Sequence, residues 1–197
     1  MGKYGSKWLG DNHALQIDME ESVIGIMKMN MFGITLIGAD ICGFAGPATT
    51  PDLCARWHQI GAFQPFSRNH RVCDTNYQEP WRFKNIQFDA TTSYMDIMKS
   101  AIFRKYHLMR YYYTQMSAVA FGNATYQTAY KPLFFEFPED DGAYYDIANN
   151  VMIGSAIKTS INVKDQSQNM TDFYFPKGTW CSLFAPTVGQ CLSFNSS

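Results

Sequence analysis

Gly33-Ile34-Thr35-Leu36-Ile37-Gly38-Ala39-Asp40 is a short, nearly all-apolar run that starts on a glycine and ends on an acid. It reads as a parallel strand buried on both faces, because a strand with one wet face alternates polar and apolar residues. Asp40 is expected at its C-terminal exit. Downstream, Thr50 to about Gly61 reads as a helix, since Thr50 can cap the first turn and Pro51 sits there without losing a helical hydrogen bond. Ala62-Phe63-Gln64-Pro65-Phe66-Ser67 then reads as the next strand, emptying into Arg68-Asn69-His70. Upstream, Ile17, Val23, Ile24, Met27 and Met31 return at helix-like spacing, which predicts an amphipathic helix over Gln16 to Asn30. Strand, helix, strand with polar groups released after each strand is the pattern of a barrel or an open α/β sheet.

Farther along, Asp74 to Asp89 lacks sustained periodicity and reads as loop. Thr92 to about Phe121 is the longest helical pattern, with a cap at Thr92 or Ser93 and Met95, Met98, Ile102, Tyr106 and Met109 three or four residues apart. After Lys131 the character changes. Pro132 to Pro138, Asn149 to Ile161 and Phe173 to Pro176 resemble β segments joined by acidic, Gly-, Asn- and Pro-containing turns. A boundary near residues 125 to 132 therefore separates an α/β portion from a mainly β portion.

The 197 residues carry 46% hydrophobic content with 12 Tyr, 15 Phe and 4 Trp, enough for a folded core. Sixteen basic and 17 acidic residues leave a formal charge of -1, which offers no global attraction for nucleic acid or an anionic membrane. No apolar stretch approaches bilayer-spanning length, and no signal peptide is readable at the start. Of the five cysteines, Cys42 and Cys54 flank a Gly/Pro-rich loop and Cys181 and Cys191 flank a Pro/Gly-containing turn, so each pair could close a short loop, with Cys73 left over. Asn123, Asn169 and Asn195 head glycosylation sequons. Together these favour an oxidising, extracytoplasmic setting, either lysosomal, secreted or in the lumen of the endoplasmic reticulum, with a signal upstream in a longer precursor.

Trp8-Leu9-Gly10-Asp11-Asn12 sets an acid beside an indole at a tight glycine turn. Asp11 is open to two readings: a turn or helix-cap aspartate, or a carboxyl group that Trp8 partly dries so that it can donate a proton. Asp40 either caps the turn after its strand or meets a ligand at the mouth of a barrel. Arg68 and His70, two residues apart on an extended segment, can face one side, and Arg68 can pair with Asp40 or Asp11 while still serving a ligand site. Trp57 and Phe63 suit core packing, whereas Phe44 follows Gly43 in a loop and can form a pocket wall. His13, His58, His70 and His107 give no zinc-ligand spacing, and no Cys-x-x-Cys, phosphate-cradling loop or Gly-x-Ser-x-Gly elbow is present. Acids, an aromatic wall and an Arg/His pair fit a neutral, hydroxyl-rich ligand such as a sugar.

Five motifs in order resemble glycoside hydrolase family 31, the α-glucosidases. They are Trp8 to Asn12, Gly38-Ala39-Asp40-Ile41-Cys42-Gly43-Phe44, Gly61 to His70, Pro132 to Pro138, and Phe175-Pro176-Lys177-Gly178-Thr179-Trp180. The resemblance implies a C-terminal fragment of the enzyme, with the last units of a (β/α)8 TIM barrel in residues 1–125 and an incomplete all-β proximal domain in residues 126–197. It implies Asp11 as general acid/base, Trp8 and Phe44 as pocket walls, and Asp40, Arg68 and His70 as contacts to the terminal sugar. It also implies a disulfide between Cys42 and Cys54 and a retaining reaction that needs no metal or organic cofactor.

The chain departs from the family pattern in places. The family nucleophile stands in a Trp-x-Asp-Met-Asn-Glu-like motif that has no equivalent here, and Asp18-Met19-Glu20-Glu21 lies on the wrong side of Asp11 to replace it. Lys3 and Lys7 stand where Arg and His are common, and Lys131 stands for the usual Arg before Pro-Leu. Two functional readings follow: hydrolysis of terminal α-glucosides within a longer chain or with a complementary one, or a truncated non-catalytic remnant with a carbohydrate-binding or structural role.

Overall fold

The computed structural model describes residues 5–121, 128–163, 172–184 and 186–195. Its first portion is part of a (β/α)8-like barrel. Strand β1 (Lys7–Trp8) pairs in parallel with β2 (Ile37–Gly38), and β3 (Asp40–Ile41) pairs in parallel with β4 (Arg68–Asn69). As β2 and β3 are separated only by Ala39, the three chain paths lie side by side. Helix α1 (Gln16–Met31) crosses from the first path to the second and α2 (Pro51–Gly61) from the second to the third. Parallel neighbours require such crossovers.

Local chemistry sets these elements. Thr50 caps α2 by accepting from the Leu53 N–H at 3.2 Å, with Pro51 in the first turn. Helix α3 (Tyr94–Phe121) starts with a reciprocal box: the Ser93 N–H donates to Asp96 Oδ2 at 3.0 Å, and the Asp96 N–H donates to Ser93 Oγ at 3.2 Å. Met19, Val23 and Ile26 of α1, Ile37 and Ile41 of the sheet, Trp57 and Ile60 of α2, and Met98 of α3 share one core.

The second portion is antiparallel. β5 (Tyr130–Pro132), β6 (Asn150–Ile153) and β7 (Ile157–Ser160) form a sheet, and β8 (Gly178–Cys181) with β9 (Cys191–Phe194) forms a hairpin. Cys181 faces Cys191 in register, and a disulfide joins them. The portions are tied by polar contacts as well as by packing: the Tyr130 N–H donates to buried Asn30 of α1 at 3.2 Å, and the Tyr111 hydroxyl of α3 donates to Ile153 O at 2.8 Å. Lys131 is buried and paired with Glu136, so the position keeps a cation although the side chain is not Arg.

Several sequence expectations change. Residues 62–66 are turn and bend and Ser67 is irregular, none of them strand, because the Phe63 and Gln64 N–H groups still donate to Ile60 O at the end of α2 and Pro65 has no N–H to give a ladder. The strand follows at Arg68–Asn69. Within Gly33 to Asp40 the strand is confined to Ile37–Gly38 and resumes at Asp40, which lies on the sheet instead of beyond its end. In Pro132 to Pro138 only Pro132 is strand, and Leu133–Phe135 close a 3-10 turn onto which Glu136 and Phe137 donate back to Leu133 O. Phe173 to Pro176 precedes a strand that begins at Gly178. The loop from Asp74 to Asp89 contains a 3-10 turn at Pro80–Phe83.

The buried faces of two helices also differ from the apolar stripes read in the sequence. In α3 the buried residues are Met98, Ala101, Leu108 and Tyr112, while Ile102, Tyr106 and Met109 are exposed. In α1, Ile17 and Met31 are exposed, and Ser22 and Asn30 are buried because each donates to a carbonyl of its own helix. Asn123 and Asn169 lie outside the described residues, and Asn195 is exposed.

Candidate functional site

Strand β1 ends at Trp8, and Gly10, with φ +107°, turns the chain so that Asn12 reaches Asp40 on β3. Asn12 locks this arrangement. Its amide NH2 donates to Asp40 O at 2.9 Å, and its Oδ1 accepts from the Asp40 N–H at 3.0 Å, as a neighbouring strand would. The Asn12 carbonyl accepts in turn from Phe44 and Ala45 at 2.8 and 3.1 Å. One residue thus fixes both Asp40 and the loop that carries Phe44.

Register places Asp40 opposite Arg68 on β4. Arg68 donates to Asp40 Oδ1 from Nε at 2.8 Å and from Nη2 at 2.5 Å, a charge-assisted contact. The guanidinium also lies 5.2 Å from the Trp8 ring centroid and 5.6 Å from that of Phe66. Trp8 meets Phe44 edge to face at 5.9 Å, and Phe44 lies against the His70 ring at 5.1 Å. Trp8, Asp40, Phe44, Arg68 and His70, drawn from three separate sequence motifs, therefore form one contiguous recess. Asp11 borders it beside Asn12 and is exposed, so Trp8 of this chain does not bury it.

Two polar atoms in this recess are buried and lack a well-formed hydrogen bond among the described residues: Trp8 Nε1, a donor, and Asp40 Oδ2, an acceptor, which lie near enough for the indole to act only weakly on the carboxylate. An unpaired buried donor and acceptor are costly unless a ligand answers both, and a vicinal diol can do so. Burial raises the Asp40 pKa above its ordinary 3.8, opposed by the Arg68 hydrogen bond and charge, then by His70 and the Trp8 indole. A raised carboxylate pKa means that the folded state binds the proton more tightly than the unfolded chain. Stability contributed by neutral Asp40 is then lost as pH rises from 3.8 through the raised value. Accordingly, Asp40→Asn gains stability relative to the parent chain on going from pH 3 to pH 7. Thermal unfolding of both at the two pH values checks this, and an unchanged difference would show that Arg68 fully offsets the burial.

The loop behind the recess is held by residues whose roles the sequence did not signal. Gln78 is buried, and its amide nitrogen lies 2.9 to 3.2 Å from the carbonyls of Ile41, Gly43 and His70 and from Asn69 Oδ1, which share its two N–H hydrogens. Asn69 donates back to Gln78 O at 2.9 Å. Gln78 lies in a stretch without periodicity, so no pattern marked it. A cavity of about 230 Å3 opens beside His70, lined also by Arg71, Cys73 and Glu79. Cys73 is a free, exposed cysteine.

Cys42 and Cys54 are disulfide-bonded and brace the segment after Asp40. Buried His58 lies with Nδ1 2.8 Å from Cys54 O and 3.5 Å from Cys42 Sγ, and burial lowers its pKa. The two sulfurs are consumed by their bond, so this buried Cys/Cys/His group has no thiolate to offer a metal.

Two family models match the chain: the Glycosyl hydrolases family 31 TIM-barrel domain over residues 1–115, and the Glycosyl hydrolase family 31 C-terminal domain over residues 126–193. Intestinal sucrase-isomaltase of Suncus murinus is 37% identical over 91% of the chain and 9% of its own length. Lysosomal alpha-glucosidase of Bos taurus is 36% identical over 92% of the chain and 18% of its own length. The crystal structure of a family 31 alpha-glucosidase from Bacteroides thetaiotaomicron superposes with a TM-score of 0.73 at 26% identity, covering 95% of this chain and 29% of that one. The chain thus spans less than a third of each of these proteins.

Proposed function

Since the chain belongs to glycosyl hydrolase family 31, we propose that it forms the acid/base half of a retaining α-glucosidase site. The observation that carries this reading is the recess itself, where Asp40, Arg68 and His70 stand among the Trp8 and Phe44 rings, with a buried donor and a buried acceptor that lack a well-formed hydrogen bond among the described residues. A terminal glucose fits it by stacking ring carbons on the aromatic faces and satisfying Trp8 Nε1 and Asp40 Oδ2 through hydroxyls. In this reading Asp11 protonates the leaving glycosidic oxygen while a second carboxylate attacks the anomeric carbon, and Asp11 then takes a proton from the water that frees the sugar. Asp40 is tied to Arg68, which leaves it suited to holding hydroxyls rather than to attack. The attacking carboxylate is assigned to a further barrel portion, in the same or a complementary chain.

The same proposal assigns residues 1–125 to the barrel and 126–197 to the proximal β domain. The relatives named above and the disulfides at Cys42–Cys54 and Cys181–Cys191 support an extracytoplasmic setting, and exposed Asn195 is a glycan acceptor within it. No helix among the described residues is long and apolar enough to cross a membrane.

The test is hydrolysis of an aryl α-glucoside followed by NMR of the released sugar. The chain combined with the rest of the barrel is expected to release α-glucose first, and the 197-residue chain alone to release none. Initial release of β-glucose would rule out retention. Turnover by the chain alone that depends on Asp11 would rule out an external nucleophile.

A further inference from the structure

We propose that the groove between α3 and the β portion is a second saccharide site, whose ligand is a short saccharide carrying a phosphate ester. The groove encloses about 1080 Å3, and none of Trp8, Asp11, Asp40, Phe44, Arg68 or His70 lines it. It stands apart from the catalytic recess, and its occupancy does not rest on the role given to Asp11.

Charge is the first argument. Arg56 of α2, Arg104 of α3 and Lys158 of β7 line the groove, and no Asp or Glu is among its described lining residues. In a chain of net charge -1 this is a local concentration of one sign. Arg56 is answered from outside the groove by Asp52 at 2.9 Å. Arg104 has no carboxylate partner among the described residues, and its guanidinium lies 5.4 Å from the Phe184 ring centroid. Lys158 donates to neutral oxygens, Asn150 Oδ1 at 2.8 Å and Ser160 Oγ at 2.5 Å. Burial pushes its ammonium down to about 7, and Asp146 offsets this only in part. Arg104, and Lys158 once a bound phosphate restores its full proton occupancy, have no carboxylate at hydrogen-bond distance among the described residues, and together they answer the charge of one phosphate monoester, roughly -1.5 to -2 near neutral pH.

Shape and surface are the second. Phe175 and Phe194 stack at 4.9 Å, Trp180 meets Phe175 edge to face at 5.7 Å, and all three line the groove. Lys158 Nζ lies 4.2 Å from the Phe175 centroid, so the cation stands at the edge of an aromatic wall. A pyranose presents the matching surface: C–H faces for the rings, hydroxyls for the Ser160 and Thr179 side chains, and an ester oxyanion for Arg104 and Lys158. The volume lies just above the range of about 300–1,000 Å3 usual for small-ligand sites, which suits two or three sugar units.

Calorimetric titration of the chain, with whatever further portion its native protein carries, tests the site using maltotriose 6-phosphate, maltotriose and inorganic phosphate. Maltotriose 6-phosphate is expected to bind at least about tenfold more tightly than either of the others, and more weakly as salt is raised. Arg104→Gln and Lys158→Gln are each expected to weaken it about tenfold. Lys158 is part of β7, so its variant is read only if its circular dichroism and unfolding midpoint match the parent chain. The Arg104 variant and the parent chain's preference decide the matter without it. Equal affinity for maltotriose and its phosphate, binding of phosphate alone as tight as that of the sugar phosphate, or full affinity in Arg104→Gln would each overturn the proposal.

Discussion

On the proposed role for Asp11, Asp11→Asn is expected to lower α-glucoside cleavage by the completed protein by about 10²–10⁴-fold, the usual contribution of a positioned general acid or base. The effect is separable from folding. Asp11 is exposed and makes no hydrogen bond or ion pair among the described residues, so substitution by the isosteric amide is expected to alter stability by no more than about 0.5 kcal/mol. Asparagine can neither protonate the departing oxygen nor accept a proton from water, and both halves of the reaction suffer. Leaving-group dependence distinguishes this from a binding defect. A poor alkyl leaving group, which needs protonation, loses more than an activated aryl one in the first step. Azide, which needs no general base, restores turnover in the second step by attacking the glycosyl-enzyme. A variant with full turnover, or one equally impaired for all leaving groups and unresponsive to azide, removes Asp11 from proton transfer.

Gly43→Ala destabilises the chain by about 2–5 kcal/mol, from left-handed backbone strain of about 1–2 and overpacking of about 1–3. Gly43 has φ +94°, and a Cβ there would stand 2.3 Å from Ala14 N and 2.4 Å from Ala14 Cα. Both obstacles are main chain and cannot rotate away. Relief requires the Asp40 to Ala45 segment to part from His13 and Ala14, breaking the Ala14 N–H to Ala45 O bond at 3.0 Å. That movement pulls on the contacts from Phe44 and Ala45 to Asn12 O and so on the clamp that positions Asp40. Stability and sugar binding are expected to fall together. Gly46→Ala provides the contrast: its φ is +82°, but the nearest atom to a new Cβ is the His13 side chain at 2.9 Å, which can move. Denaturant midpoints should therefore drop further for Gly43→Ala than for Gly46→Ala, and equal drops would show that the approach to Ala14 is not limiting. Against a total domain stability of about 5–15 kcal/mol, the larger loss leaves little margin.

Helix α2 was legible from end to end because its signals are contiguous. Thr50 caps, Pro51 opens, and the helix ends where Gly61 and the following turn stop it. The start of α3 was legible for the same reason, through Ser93 and Asp96. Its buried face was not. Apolar and aromatic residues surround α3, so more than one stripe satisfies the helical period, and packing against α2 selects Met98, Ala101, Leu108 and Tyr112. Strands were the least legible elements. Pro132 to Pro138 has strand-like composition, but a 3-10 turn satisfies its backbone locally, and composition does not reveal which bonding pattern wins.

The site shows the same division. Asp11, Trp8, Asp40, Phe44, Arg68 and His70 were identifiable by residue type and motif, since the chemistry of a side chain travels with its sequence. Asn12 and Gln78 were not identifiable as the groups that hold them, because an amide becomes a clamp only when carbonyls and N–H groups from distant segments converge on it. By itself the sequence determined the main helices, the α/β-to-β change and the identity of the groups proposed to meet a sugar. The tertiary structure alone decided that Asp40 lies opposite Arg68, 28 residues away, and that Trp8 Nε1 and Asp40 Oδ2 are buried without a well-formed hydrogen bond among the described residues. Caps and periodicity are written within a turn or two of chain. Register and desolvation are set by neighbours that only folding brings together.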